Sequence, residues 1–123
     1  MKRDFIEENY NIKLLCSKNA DSALVAEIMY GIEEEGLFSE IIIKEKIDLN
    51  NSFEHVLNKL CISSPLGIAA GISEHSILVS VKKFEPGRFL FKESTSSLTE
   101  KQARLIGHNV ARFVICKPFL YHE

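Results

Sequence analysis

The sequence predicts an α/β fold: a single domain with a mixed, mostly parallel sheet of about four to five strands and about three helices packed on it. Three observations carry that prediction. Short apolar runs at 12–16, 40–47, 63–72 and 77–81 alternate with stretches of helical periodicity, the pattern of strands joined by crossover helices. The helical stretches have their ends marked by capping residues. One reversal, Ser73-Glu74-His75, is too short for a crossover, so part of the sheet runs antiparallel.

Residues 1–9 mix charges with few apolar side chains and read as a flexible N-terminal arm, since terminal segments fray unless docked. Residues 10–123 form the domain. Its first strand is 12–16, and Lys18-Asn19-Ala20-Asp21 supplies the turn and N-cap for a helix over 22–35. On that helix Leu24, Val25, Ile28 and Ile32 make a stripe that packs on the sheet. Gly36 ends it in the left-handed C′ position, with Leu37 placed to touch Ile32 in a Schellman cap.

The opposite face of the same helix carries Ala23, Ala26, Glu27, Tyr30 and Glu34, with Gly31 at its edge. Surface helices normally carry long polar side chains, so this low, flat face fits either a partner protein or the chain's own arm. Gly31 costs about 1 kcal/mol relative to alanine and points to a close approach. Glu33, Glu34 and Glu35 put three carboxylates in the last turn, where the helix dipole favours cations. Solvation by water and salt explains them, and so does a bound cation or a partner's arginine.

The isoleucine-rich run 40–47 reads as a strand buried on both faces. Asn51-Ser52 caps a second helix with Phe53, Val56, Leu57 and Leu60 inward and Glu54, His55, Asn58 and Lys59 outward. Pro65 stops that helix and opens the central strand, kept thin by Gly67, Ala69, Ala70 and Gly71. Its glycine spacing fits neither a dinucleotide fingerprint nor a phosphate loop with lysine. After the antiparallel strand 77–81, Glu85-Pro86-Gly87 is a turn into a short edge strand at 88–91, and 92–97 is polar linker. Thr99 and Gln102 form a capping box for a third helix, with Ala103, Ile106, Val110 and Phe113 inward and Lys101, Arg104, His108 and Arg112 outward, a row that most often faces solvent but could also be a docking surface.

Composition narrows the function. Fifteen basic and seventeen acidic residues leave a net charge of −2, which provides no field toward nucleic acid or an anionic membrane. No stretch approaches the ~18 apolar residues of a membrane span and residues 1–8 lack an apolar signal core, so the expected location is cytoplasmic. Cys16, Cys61 and Cys116 lie far apart in or beside apolar segments, as buried free thiols do, and form neither a disulfide frame nor a zinc site. No spacing pairs one of them with His55, His75, His108 or His122 as nucleophile and base.

Gly31-Ile32-Glu33-Glu34-Glu35-Gly36, then Ser63-Ser64-Pro65-Leu66 with Ile68 and Gly71-Ile72, then Leu105, Gly107 and Asn109 together resemble the small subunit of diol and glycerol dehydratase reactivating factors. The resemblance runs from about Tyr10 to Pro118. It implies a non-catalytic chain, itself similar in fold to the medium subunit of the dehydratase. Its partner would be a large subunit with an actin- and heat-shock-like ATPase fold that binds ATP and ADP, in an α2β2 assembly. That assembly would release damaged cobalamin from inactivated adenosylcobalamin-dependent dehydratase by exchanging subunits with it.

The resemblance further implies magnesium at the subunit interface with Glu34 as one ligand, no cofactor on the isolated chain, and association with a bacterial microcompartment. The partner interface would comprise Ala23, Ala26, Glu27, Tyr30, Gly31 and Glu34. Glu35 stands where the family more often has an amide, and Gly67 where a basic residue is common. Two other readings stay open: a small homologue of the dehydratase medium subunit, and a nucleotide-binding α/β domain.

Overall fold

The structure is a computed structural model that describes residues 10–44, 52–85 and 87–121. The arm at 1–9, the end of the second predicted strand at 45–47, Asn51, Pro86 and His122 lie outside the described residues. Five strands and three α-helices follow in the order β1 (Ile12–Ser17), α1 (Ser22–Glu34), β2 (Ser39–Lys44), α2 (Phe53–Ser63), β3 (Ile68–Ile72), β4 (Ser76–Val81), β5 (Phe91–Ser94) and α3 (Glu100–Val114). The strands form one mixed sheet in the order β2-β1-β3-β4-β5. Both β1 pairings are parallel, and β3/β4 and β4/β5 are antiparallel.

Strand alternation sorts the core into two layers. Ile12, Leu14 and Cys16 of β1, Ile68, Ala70 and Ile72 of β3, and Ile77, Val79 and Val81 of β4 face one side, under α1 and α3. Leu15, Ala69 and Leu78 face the other, under Phe53, Leu57 and Cys61 of α2. The central strand is β3, as its sequence predicts, and it is buried throughout. Gly71 is thin for a reason of packing: a Cβ there would come within 2.6 Å of the Phe53 ring and 3.0 Å of Leu57. Gly67 lies before the strand, in a turn at φ +68° that glycine favours.

The caps agree with the sequence. Asp21 accepts from the Ala23 and Leu24 amides, Ser52 from His55, and Thr99 with Gln102 closes a reciprocal capping box. Gly36, at φ +88°, donates to Glu33 C=O, and Leu37 donates to Ile32 C=O, which is the Schellman pattern.

Two expectations about strands are corrected. The second strand is an edge, so its isoleucines are not buried on both sides: Ile41 and Ile43 are 39% and 57% exposed, and only Ile42 packs beneath α2. The last strand is Phe91–Ser94, so Lys92, Glu93 and Ser94 are strand and not linker. An edge strand with few buried side chains can be polar, because its backbone bonds to β4 hold it there. Among the described residues, no helix is long and apolar enough to cross a membrane.

Candidate functional site

The outer face of α1 is divided between two neighbours. Ala26, with Val25 and Met29, leans toward the β2 edge and borders a groove with Ile41 and Ile43. Glu27, Tyr30 and Glu34 lean toward α3, and Ala23 at the N-terminal end is exposed. Gly31 leaves the expected interface altogether. It is buried in the crossing of α1 with α3, where a Cβ would lie 2.2 Å from Arg104 C=O and 2.8 Å from the His108 amide nitrogen. Gly107 is its counterpart, with a virtual Cβ 2.1 Å from Ile28 C=O. The close approach that Gly31 predicts is therefore made inside the chain, by the last helix.

That crossing explains the row of cations on α3. Arg104, His108 and Arg112 recur at one turn's spacing and do not simply face solvent as predicted. They lie along the acidic side of α1 and beyond its C-terminus. Arg104 Nε is 3.0 Å from Glu27 and 3.7 Å from Glu34, and its guanidinium sits 5.4 Å above the Tyr30 ring. The Arg104–Glu27 contact is an ion pair by distance, and Arg104 Nε makes no well-directed hydrogen bond. His108 bridges two carboxylates, with Nε2 2.8 Å from Glu34 and Nδ1 2.7 Å from Glu35. Arg112 Nε donates to Glu35 at 2.8 Å, while its Nη1 donates to Pro118 C=O at 3.0 Å.

Glu35 is the buried member of this ladder, its side chain only 7% exposed. Burial pushes its carboxyl up, but the hydrogen bonds and charges of His108 and Arg112 outweigh that and hold it below the usual carboxylate range. The acids at the wrong end of the helix dipole are thus neutralised by the chain's own cations. The exposed pairs contribute little individually, roughly 0.2–1 kcal/mol each, whereas Glu35 is shielded from water and salt.

Sequence reasoning missed the partner of each acid and also the structural role of Asn109, which entered only as part of the family resemblance. Its amide is buried and clamps the C-terminal segment, donating to Leu120 C=O at 2.9 Å and accepting from the Leu120 amide at 2.7 Å. Cys116 is exposed, at φ +59° after the helix end, so the expectation that all three thiols are buried fails there. Cys16 and Cys61 are buried, and burial pushes the Cys16 thiol up to about 11.

The residues present do not by themselves fit a magnesium ion. The ion takes six oxygens in near-octahedral geometry, and Glu34 Oε1 already lies against His108 and Arg104, two cationic or proton-donating groups. Among the described residues, no three acid, histidine or cysteine side chains gather where a metal would sit. Glu34 is still half-exposed and reachable by another molecule.

These features define a three-layer α/β domain with a half-parallel, half-antiparallel sheet and an ion-paired helix seam on one face. The chain belongs to the dehydratase medium subunit family, whose sequence profile matches residues 11–119. Among solved structures, it is similar to a chain of the diol dehydratase-reactivating factor complexed with ADP and Mg2+. That match has 23% identity and a TM-score of 0.78, covering 90% of this chain and 97% of the other. It is also similar to a chain of a glycerol dehydratase reactivase, with 18% identity and a TM-score of 0.78, covering 90% and 96%. At these identities the likeness is one of fold. No curated protein matches the chain.

Proposed function

We propose that the chain is the non-catalytic small subunit of a reactivating factor for an adenosylcobalamin-dependent diol or glycerol dehydratase. The observation that carries this reading is end-to-end correspondence. The match covers 97% and 96% of two reactivase chains of the same fold and 90% of this chain. In this reading a large ATPase subunit binds ATP and ADP and the small subunit docks on it. The assembly, of α2β2 composition, exchanges subunits with inactivated dehydratase so that damaged cobalamin leaves.

Docking uses the outer face of α1, through Ala23, Ala26, Glu27, Tyr30 and Glu34. The contacts of Glu27, Tyr30 and Glu34 with Arg104 and His108 support this reading by backing part of the face with α3. Glu34 meets the partner directly or through a cation whose other ligands the partner brings, since this chain offers it too few oxygens. Gly31 contributes by allowing the helices to meet.

The test is calorimetric titration of the large subunit. Ala26→Arg is expected to abolish association, because a long charged side chain would be buried without a counter-charge, and circular dichroism is expected not to change. Wild-type affinity in a folded variant would remove α1 from the interface. The second reading, a small homologue of the dehydratase medium subunit, is favoured by the name of the matching family. It predicts stable co-purification with the dehydratase large subunit in the absence of any ATPase.

A further inference from the structure

We propose that the free edge of β2 pairs with β2 of a second copy of this chain, antiparallel about Ile42, to form a continuous ten-stranded sheet. Among the described residues no strand pairs with this edge, and it is apolar. Ile41 and Ile43, with Val25, Ala26 and Met29 of α1, line a groove of about 370 Å³ on the α1 side of the sheet. An exposed hydrophobic edge strand is a template for another strand unless it is blunted by charge, proline or a bulge. Its centre, Ile41-Ile42-Ile43, has none of these.

The backbone fixes which groups are available. Ile12 N–H donates to Phe38 C=O, and β1 and β2 run parallel with Ile12 opposite Ser39. Even-numbered residues of β2 therefore turn their N–H and C=O toward β1, and Ser39, Ile41 and Ile43 turn theirs to the free edge. In an antiparallel pair centred on Ile42, Ile41 of each copy stands opposite Ile43 of the other. Both members of each such pair then point hydrogen-bonding groups at the junction.

The same register sets Glu40 opposite position 44, a lysine, on both sides of the axis. Glu40 already takes Lys13 from its own β1 through Oε1, and its second oxygen remains for the other copy. Shifting the register by one pair, to centre on Ile41 or Ile43, would keep the backbone bonds but no longer set Glu40 opposite position 44. The run Glu-Ile-Ile-Ile-Lys is thus self-complementary in one antiparallel register, which is what a two-fold interface requires. This inference does not depend on the reactivase reading.

The experiment is sedimentation velocity of the full chain over a concentration series, with disulfide trapping as a second readout. The wild type is expected to dimerise. Ile43→Glu, at an exposed position, is expected to remain monomeric with unchanged circular dichroism. In a Cys116→Ser background, Ile42→Cys is expected to form a symmetric disulfide on mild oxidation. The two Ile42 positions are a non-hydrogen-bonded pair with Cα atoms about 4.5 Å apart, within disulfide range. A wild type that is monomeric throughout and an Ile42→Cys chain that does not cross-link would overturn the proposal. So would a dimer that survives Ile43→Glu, or an edge that binds only the large subunit while the chain alone stays monomeric.

Discussion

Replacing Gly107 by alanine tests the helix crossing on which the candidate docking face rests. The added methyl would begin 2.1 Å from the Ile28 carbonyl oxygen, and ordinary contact starts near 3.4 Å. The helices must therefore separate by about 1.3 Å. No rotamer change relieves the clash, because the obstructing atoms are backbone. A gap of that size forfeits about half the dispersion energy of the atoms facing it, and overpacking of this kind costs about 3 kcal/mol. Alanine returns about 1 kcal/mol through its better helix propensity. The net loss is about 2 kcal/mol, or roughly 8 °C in Tm for a domain of this size. Urea unfolding of wild type and Gly107→Ala measures it, and Gly31→Ala is expected to act similarly. The double variant should cost less than the sum, because the first methyl already parts the helices. A Gly107→Ala protein more stable than wild type by the propensity gain alone would mean that the helices do not meet at backbone distance.

Three further outcomes follow from the same seam and core. Glu35→Gln should cost about 2 kcal/mol at pH 7 by removing the anion that accepts from the Arg112 guanidinium and meets the His108 ring. The folded carboxyl lies below its unfolded value, so its contribution is present above about pH 4.5 and fades as pH falls through the folded value. Urea titrations of the two proteins should converge at low pH, and a constant difference down to pH 3 would contradict the assignment. A thiol reagent should modify one cysteine in the native protein, Cys116, and three after unfolding, since Cys16 and Cys61 are buried and burial raises both; rapid labelling of two would contradict that burial. Asn109→Ala should cost about 2 kcal/mol and speed hydrogen exchange at the Leu120 amide, which loses its acceptor; unchanged protection there would show that other contacts hold the tail.

Most of the fold was legible because its signals are local. Caps at Asp21, Ser52 and Thr99, the Gly36 stop, the Pro65 entry and the Ser73–His75 reversal each act within a few residues, and each appears as read. What failed depended on neighbours distant in sequence. An isoleucine run looks the same at the centre of a sheet and at its edge, and only the strand order β2-β1-β3-β4-β5 decides which it is. The polar stretch at 92–94 shows no apolar alternation because so little of β5 is buried, so its pairing with β4 left no mark in the pattern.

The seam between α1 and α3 joins residues more than seventy positions apart, beyond the reach of capping or periodicity arguments. Yet each helix carried half of the statement. One has acids at 27 and 34–35 with a glycine at 31, and the other has basic side chains at 104, 108 and 112 with a glycine at 107. Either half alone has a bland reading, as a solvated acidic end or a solvated basic face. Taken together, rows of opposite charge flanking one glycine in each helix describe two helices that touch at their backbones and are locked on the rim. The three carboxylates at the wrong end of the dipole carried the strongest local signal that a cation must be nearby. The first source to weigh for that cation is the chain's own last helix, ahead of a metal or a partner.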